Sequence, residues 1–437
     1  MSKVPKLENL WMPFSANRAF KAKPRLMNEA SGMYYKKITG AKVLDATSGL
    51  WCCNAGHNHP KIVEAIKKQA EKLDYAPSFQ MGHPLGFEAA EKLLEIAPSR
   101  EFKYTFFTNS GSESVDTALK IALGYQQILG KKEKTLLVGR ERAYHGVGFG
   151  GISVGGLPLN KKHFSLLDNV DHIVSTHNLQ KNAYSRGLPD WGKILADDLL
   201  RVIKKHGPDR IAAFITEPLA GSTGVLVPPK GYLERIRKIC DDNDILLIFD
   251  EVITGFGRLG TPFASQYFNV IPDIIVCAKG LTSGTVPMGA VMVKKKIYDS
   301  YQNGDSKVID LFHGYTYSAH PLASAALIAT LDVYQKDGLF DRVKDLAPYW
   351  EDALHSLKGT DNIIDIRNLG LVGGVEMNPK NNQVGLRGYD VFEQGFHKKN
   401  ILLRFTGDII AMSPPLIVKK QHIDQMVSAL KSIIPKN

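Results

Sequence analysis

The sequence predicts an α/β fold: a mostly parallel central sheet in a large domain, with a smaller α/β domain built from the N- and C-terminal parts of the chain. Three observations predict it. Through the middle of the chain, short apolar runs alternate with amphipathic stretches, the texture of strands buried on both faces and separated by helices. From about Ala326 helical sequence dominates, with short strands around Val372 and Leu402. Finally, 437 residues, 44% of them hydrophobic, are ample for a large core and for two or three domains or subdomains.

Each element has its own signature. "KYTFFTN" (103–109) reads as a strand and leads into "SESVDTALKIALGYQQIL" (112–129), whose apolar positions recur at helical spacing. "KTLLVGR" (134–140) and "RIAAFITEP" (210–218) are the next strands. The helical "GYLERIRKICDDN" (231–243) precedes the strands "DILLIFDEV" (244–252), "DIIVCAKG" (273–280) and "GAVMVKK" (289–295). Two helices, "DRVKDLAPYWEDALHSLKG" and "QHIDQMVSALKSII", dominate the C-terminal part. The expected division is residues 1–58 as the N-terminal segment of the small domain, 59–325 as the large domain and 326–437 as the C-terminal part of the small one.

Composition excludes several function classes. The net charge is +11, but the basic residues sit in scattered groups, "KAKPR" (21–25), "KKEK" (131–134) and "VKKK" (293–296). A nucleic-acid binder concentrates them with aromatics on one element. A positive field of this kind also attracts anionic small molecules. The four cysteines, Cys52, Cys53, Cys240 and Cys277, make no CxxC pair, which points to a reducing compartment. The N-terminus lacks the apolar core of a signal peptide, and no apolar run approaches the about 20 residues that span a bilayer. The expectation is a cytoplasmic protein without membrane or nucleic-acid partners. "GVGFGG" (146–151) matches a dinucleotide fingerprint literally, but "ISVGGLPLN" after it does not read as a helix, so the segment is expected to be a flexible loop. "GHNHP" sets His57 and His59 in a turn with no second ligand cluster nearby, so no metal site is expected.

In sheets of this type the working residues gather at the carboxyl ends of the strands. Four strand ends carry polar groups: Asn109-Ser110-Gly111-Ser112, Glu217-Pro218, Asp250-Glu251-Val252 and Lys279-Gly280. A lysine at a strand end can simply snorkel to water. Desolvated, it is a free amine able to form a Schiff base with an aldehyde. Asp250 closes the apolar run "ILLIFD", where an unpaired acid is costly. It can cap a helix or form a salt bridge. It can also pair with the protonated nitrogen of a pyridine ring and keep that ring an electron acceptor. Gly111 and Ser112 stand where a strand turns into a helix, a place whose free N–H groups favour a phosphate, although a serine N-cap has the same look.

Together the motifs resemble the class III pyridoxal-phosphate aminotransferases of fold type I, and among them most closely the ω-amino acid:pyruvate, or β-alanine:pyruvate, aminotransferases. The resemblance runs in order along nearly the whole chain, through "LWMPFSANRAFK", "GLWCCNAGH", "DYAPSFQMGHP", "FFTNSGSESVDTALKIA", "RERAYHGVGFGGISVGG", "EPLAGSTGVLVPPKGYL", "LLIFDEVITGFGRLG", "AKGLTSGTVPMGAV" and "HGYTYSAHP". It implies pyridoxal 5'-phosphate as cofactor, with Lys279 carrying it covalently and Asp250 paired with its ring nitrogen. Gly111 and Ser112 would hold the phosphate. Tyr144 and Val252 would cover the two ring faces, with Glu217 near the ring. Thr316 would reach the phosphate of a partner subunit, which implies a homodimer or homotetramer with shared sites. Trp51, Phe14 and Tyr144 would line the substrate pocket, and Arg404 in "ILLRFTGD" would grip the substrate carboxylate, as a guanidinium fork suits. Without the resemblance Arg404 reads as a surface arginine. In the β-alanine enzymes a glutamine follows this arginine by seven residues; here that position is Ala411, a departure that bears on the amino donor.

The implied reaction moves an amino group from an ω-amino acid or primary amine to pyruvate, giving alanine and an aldehyde or keto product in ping-pong fashion. The same scaffold supports taurine or polyamine:pyruvate transaminases, aminomutases and decarboxylating transaminases, which product analysis separates. A nicotinamide oxidoreductase needs the fingerprint that fails above. A non-catalytic binding protein leaves Lys279 and Asp250 unexplained.

Overall fold

The computed structural model of the protein describes residues 5–434. In chain order the strands are β1 (Met27–Ser31), β2 (Tyr34–Lys37), β3 (Lys42–Asp45), β4 (Phe102–Thr108), β5 (Leu136–Arg140), β6 (Val170–Ile173), β7 (Ile211–Thr216), β8 (Leu246–Asp250), β9 (Ile274–Cys277), β10 (Gly289–Lys294), β11 (Ile363–Leu369), β12 (Val372–Met377), β13 (Ile401–Leu402), β14 (Arg404–Thr406) and β15 (Ile409–Met412). The central sheet has the order β4-β10-β9-β8-β7-β5-β6. From β6 to β9 every neighbour is parallel, while β10 is antiparallel to both β9 and β4. Since β4 and β9 both oppose β10, they run the same way. The carboxyl ends of β4, β7, β8 and β9 therefore share one edge, where ligands collect in sheets of this kind.

The reason lies in the burial. Every residue of β7, β8 and β9 is buried. Successive side chains point to opposite faces. Ala213, Ile215, Ile248 and Val276 pack with Val115, Ala118 and Ala122 of the helix Gly111–Ile128. Phe214, Leu247 and Phe249 pack with Leu233 and Ile236 of the helix Tyr232–Asp242 on the other side. Apolar runs without alternation are what two covered faces require.

Two smaller sheets complete the molecule, β1-β2-β3-β13 and β11-β12-β15-β14. In the first, β13 runs parallel to β3 and pairs Leu402 with Asp45, so the N- and C-terminal parts join. In the second, Arg404 of β14 pairs with Ala411 of β15. The helix Pro321–Lys336 runs unbroken through residues 325 and 326.

One reading needs correction. The "GVGFGG" segment is not a loop throughout: a helix of 6 residues, Phe149–Val154, begins inside it. Its glycines are where the chain presses on Asp116: a Cβ on Gly148 would stand 2.2 Å from an Asp116 carboxylate oxygen and one on Gly150 2.9 Å from the other. The Gly151 N–H donates to that carboxylate at 2.8 Å. The short helix ends at Gly155, so no long helix follows and the dinucleotide reading still fails.

Candidate active site

β9 ends at Cys277, and two residues later Lys279 heads a single 3-10 turn, Lys279–Thr282, with φ +49°. That left-handed conformation is uncommon outside glycine and costs about 1–3 kcal/mol, so the surroundings must enforce it. Burial lowers the Lys279 amine below the usual lysine range. Arg404 adds to the lowering, while Cys52, Asp250 and Glu217 oppose it. These four groups gather around one amine from four separate stretches of chain.

Asp250 ends β8 and is 5% exposed. Its Oδ2 lies 2.8 Å from Nδ1 of the fully buried His145, which donates to it, and its Oδ1 accepts the Val252 N–H at 3.1 Å. Each oxygen keeps a lone pair for a further donor. His145 Nε2 is buried without a partner among the described residues. Glu217, just past β7, has its carboxyl pushed up to about 7 by burial and by Asp250, against His145 and Arg140. The Arg140 guanidinium stands 3.7 Å from it.

The helix Gly111–Ile128 starts beside these strand ends. Ser110 caps it by accepting the Glu113 N–H at 3.2 Å, and the Glu113 carboxylate accepts the Asn109 N–H at 2.7 Å. The N–H groups of Gly111 and Ser112 have no such acceptor among the described residues, as the first turn of a helix leaves them. The Ser112 hydroxyl oxygen accepts the Val147 N–H at 3.1 Å and keeps its own proton to donate. A Cβ on Gly111 would stand 3.0 Å from both methyls of Val252 and 3.6 Å from Cβ of Ala278. The glycine thus lets the helix start close against the ends of β8 and β9.

Tyr144 is half-buried. Burial raises its hydroxyl, Asp250 and Glu217 add to that, and Arg404 opposes it. Arg404 has Nε buried without a partner, and no carboxylate among the described residues pairs with it. Burial pulls its pKa down, with Tyr144 opposing. A desolvated cation without an anion is costly, so an anionic ligand would find an unfilled partner here. Trp51 is 2% exposed and packs with Leu219, Val225, Ile253 and Ala411, its Nε1 without a partner among the described residues.

The structure thus places Lys279 and Tyr144 each within the fields of Asp250, Glu217 and Arg404. Gly111, Ser112 and Val252 form the adjoining cradle, and Trp51 packs beside Ala411, the strand partner of Arg404. Phe14, 78% exposed, and the exposed Thr316 stand on the surface of the single chain. Sequence reading missed His145, Cys52 and Arg140. His145 had one signal, its place beside Tyr144. The residues fit a pyridoxal phosphate: a carboxylate fixed for a ring N–H, two free backbone N–H groups and a hydroxyl for a phosphate, a glycine cradle and a desolvated amine. A separate apolar cleft lined by Phe79, Met81, Phe87, Phe106, His313 and Ala319 includes none of these groups.

Comparison with known proteins agrees. The class-III aminotransferase family profile matches residues 15–434. The chain is 58% identical to an omega-aminotransferase of Caulobacter vibrioides over 98% of its own length and 97% of that protein. It is 46% identical to a beta-alanine–pyruvate aminotransferase of Pseudomonas aeruginosa, covering 96% of this chain and 94% of the relative. Among solved structures, the omega transaminase of Pseudomonas jessenii in complex with PMP superposes with a TM-score of 0.91 at 31% identity, over 97% of this chain and 95% of that one.

Proposed function

The chain belongs to the class III aminotransferases, pyridoxal-phosphate enzymes of fold type I, and from that premise we propose that it transfers an amino group from an ω-amino acid or a primary amine to pyruvate at the Lys279 pocket. The observation that carries the reading is the meeting of a desolvated, pKa-lowered lysine with a buried carboxylate locked in place at the next strand end.

When bound, pyridoxal phosphate supplies an aldehyde that exchanges between amines and a ring that accepts electrons from the amine-bearing carbon. Lys279 would hold the group, and burial, which lowers its pKa, favours the neutral amine that can take a proton from the substrate carbon and return it. Asp250, fixed by His145 and the Val252 N–H, would offer its carboxylate to the ring nitrogen. Gly111 and Ser112 would hold the phosphate with backbone N–H groups and a hydroxyl. Val252 and Tyr144 would border the ring. Arg404 receives the carboxylate of pyruvate. Trp51 and Tyr144, with Phe14 of the same or a partner chain, give the apolar surface for the donor.

Homodimerisation belongs to the same reading. Thr316 lies on the surface among exposed apolar groups, Phe79 (58%), Met81 (69%), Phe87 (75%), Phe312 (83%) and Tyr317 (58%). Apolar exposure on this scale marks an interface. A second copy would cover it and bring Thr316 to the partner's phosphate. The cytoplasm as compartment is supported by four cysteines that remain free thiols, and among the described residues no helix is long and apolar enough to cross a membrane.

The test is purified protein with pyruvate and a panel of amines, reading alanine formed. Alanine from β-alanine or arylalkylamines is expected. A panel without alanine, or a rearranged or decarboxylated product, contradicts the reading.

A further inference from the structure

Two buried residues have no part in the chemistry above. Asp45 ends β3 and is wholly buried; His57, from the "GHNHP" turn, is 8% exposed. His57 Nε2 lies 2.7 Å from Asp45 Oδ2, and the His57 ring packs against Tyr35 at 4.1 Å between centroids, tilted by 51°. The Asp45 carboxylate also accepts the Thr47 N–H at 2.8 Å and the Gly49 N–H at 2.7 Å. All of its bonds beyond His57 therefore go to one tight turn.

That turn is strained. Ser48 has φ +48°, Gly49 φ +66° and Trp51 φ +65°. Two of these three are not glycine, and such conformations persist only where the surroundings over-determine them. Further restraints include the Ser48 hydroxyl, which donates to Ser413 O at 2.8 Å and accepts from Arg258 at 2.7 Å, the Thr47 hydroxyl, which donates to Gly49 O at 2.7 Å, and the Trp51 and Cys52 N–H groups, which donate to Thr47 O and Ser48 O at 2.9 Å each. The strained backbone delivers two side chains to the site. Trp51 goes into the apolar cluster with Ile253 and Ala411, beside Arg404. Cys52 is set against the loop that follows Lys279: its Cβ lies 2.9 Å from where a Cβ on Gly284 would stand.

We propose that Asp45 and His57 are positioning residues for donor selectivity: they hold the 47–51 turn in its strained form and so fix Trp51 and Cys52 as a rigid wall facing Lys279. The proposal rests on the reading of the Lys279 pocket. His57 keeps the carboxylate from rotating away from the Thr47 and Gly49 N–H groups. The carboxylate then keeps the turn from relaxing to ordinary backbone angles, which would swing the indole and open the wall. A fixed wall rejects bulky donors and a loose one admits them. Displacements of about 1 Å near a reacting centre change rates by up to about a hundredfold.

The experiment uses the cofactor-loaded enzyme and the variants His57→Ala, His57→Gln and Asp45→Asn. Two quantities are measured: the ratio of kcat/KM for β-alanine to that for a bulky arylalkylamine, each with pyruvate, and hydrogen exchange of the peptide spanning residues 46–56 in protein without cofactor. Loss of folded fraction cancels in the ratio. For His57→Ala the ratio should fall about tenfold or more and exchange across the turn should quicken. Asp45→Asn should shift both in the same direction, and His57→Gln, which can still donate to Asp45, should restore much of each. An unchanged or increased ratio, both donors falling equally, or unchanged exchange overturns the proposal. Lys279→Ala is the control: turnover that survives it overturns the pocket reading, and this proposal with it.

Discussion

Lys279 and Arg404 are two cations close enough to feel each other, and only one has to stay charged. Arg404 helps to lower the lysine, while its own guanidinium keeps a proton under any ordinary condition. Removing Arg404 has two separable effects. The pyruvate half-reaction loses a charge-assisted contact of roughly 1.5–3 kcal/mol, about 10–150-fold in affinity. A simple arylalkylamine has no carboxylate to lose. Arg404→Ala should therefore weaken the pyruvate half-reaction by that factor and leave the amine half-reaction much less affected, as stopped-flow measurement of each half will show. Equal losses would make Arg404 structural. Glu217 offers a second handle. Its carboxyl is raised from 4.5 to about 7, so the folded protein holds a proton that the unfolded chain releases above pH 4.5. That contribution to stability is complete below this window and is lost as pH rises through about 7. Between these limits wild type should lose on the order of 3 kcal/mol relative to Glu217→Gln, read from urea unfolding across pH.

Among the elements, the start of the helix Gly111–Ile128 is the most exacting. A methyl at Gly111 would meet Val252 at 3.0 Å, so either the helix start or Val252 must move. Gly111→Ala should weaken pyridoxal-phosphate affinity by roughly tenfold or more, measured by equilibrium titration, with little change in the secondary structure seen by circular dichroism. Unchanged affinity would show that the phosphate is held elsewhere. The elements differ in how legible they are. β7, β8 and β9 stand out in the sequence because both of their faces are buried and the apolar run is continuous. β6 and β1 to β3 do not. Val170–Ile173 carries Asp171 and His172, and β1 is largely exposed. The site was legible where polar residues close apolar strands, at Asp250 and Lys279. It was not legible where roles depend on distant partners. His145 reaches Asp250 across 105 residues. Arg404 needed the resemblance to known enzymes, because a three-residue strand carries too little pattern to reveal its burial. His57 read as an idle turn residue until Asp45 was seen beside it.

At the scale of the whole molecule, the single chain leaves apolar surface uncovered around Thr316. The protein should sediment as a dimer or a tetramer, and Thr316→Ala should lower cofactor affinity without altering the unfolding of the chain; a monomer with full cofactor affinity would refute the shared site. Central to the account is that Lys279, rather than another lysine among the chain's 55 lysines and arginines, carries the cofactor in the assembled enzyme. The direct test is borohydride reduction of the protein loaded with pyridoxal phosphate, followed by peptide mapping. The account predicts a yellow protein whose visible absorbance is lost on reduction, with the label on the peptide containing Lys279 and absent from Lys279→Ala. A label on another lysine, or no binding of the cofactor at all, would contradict it.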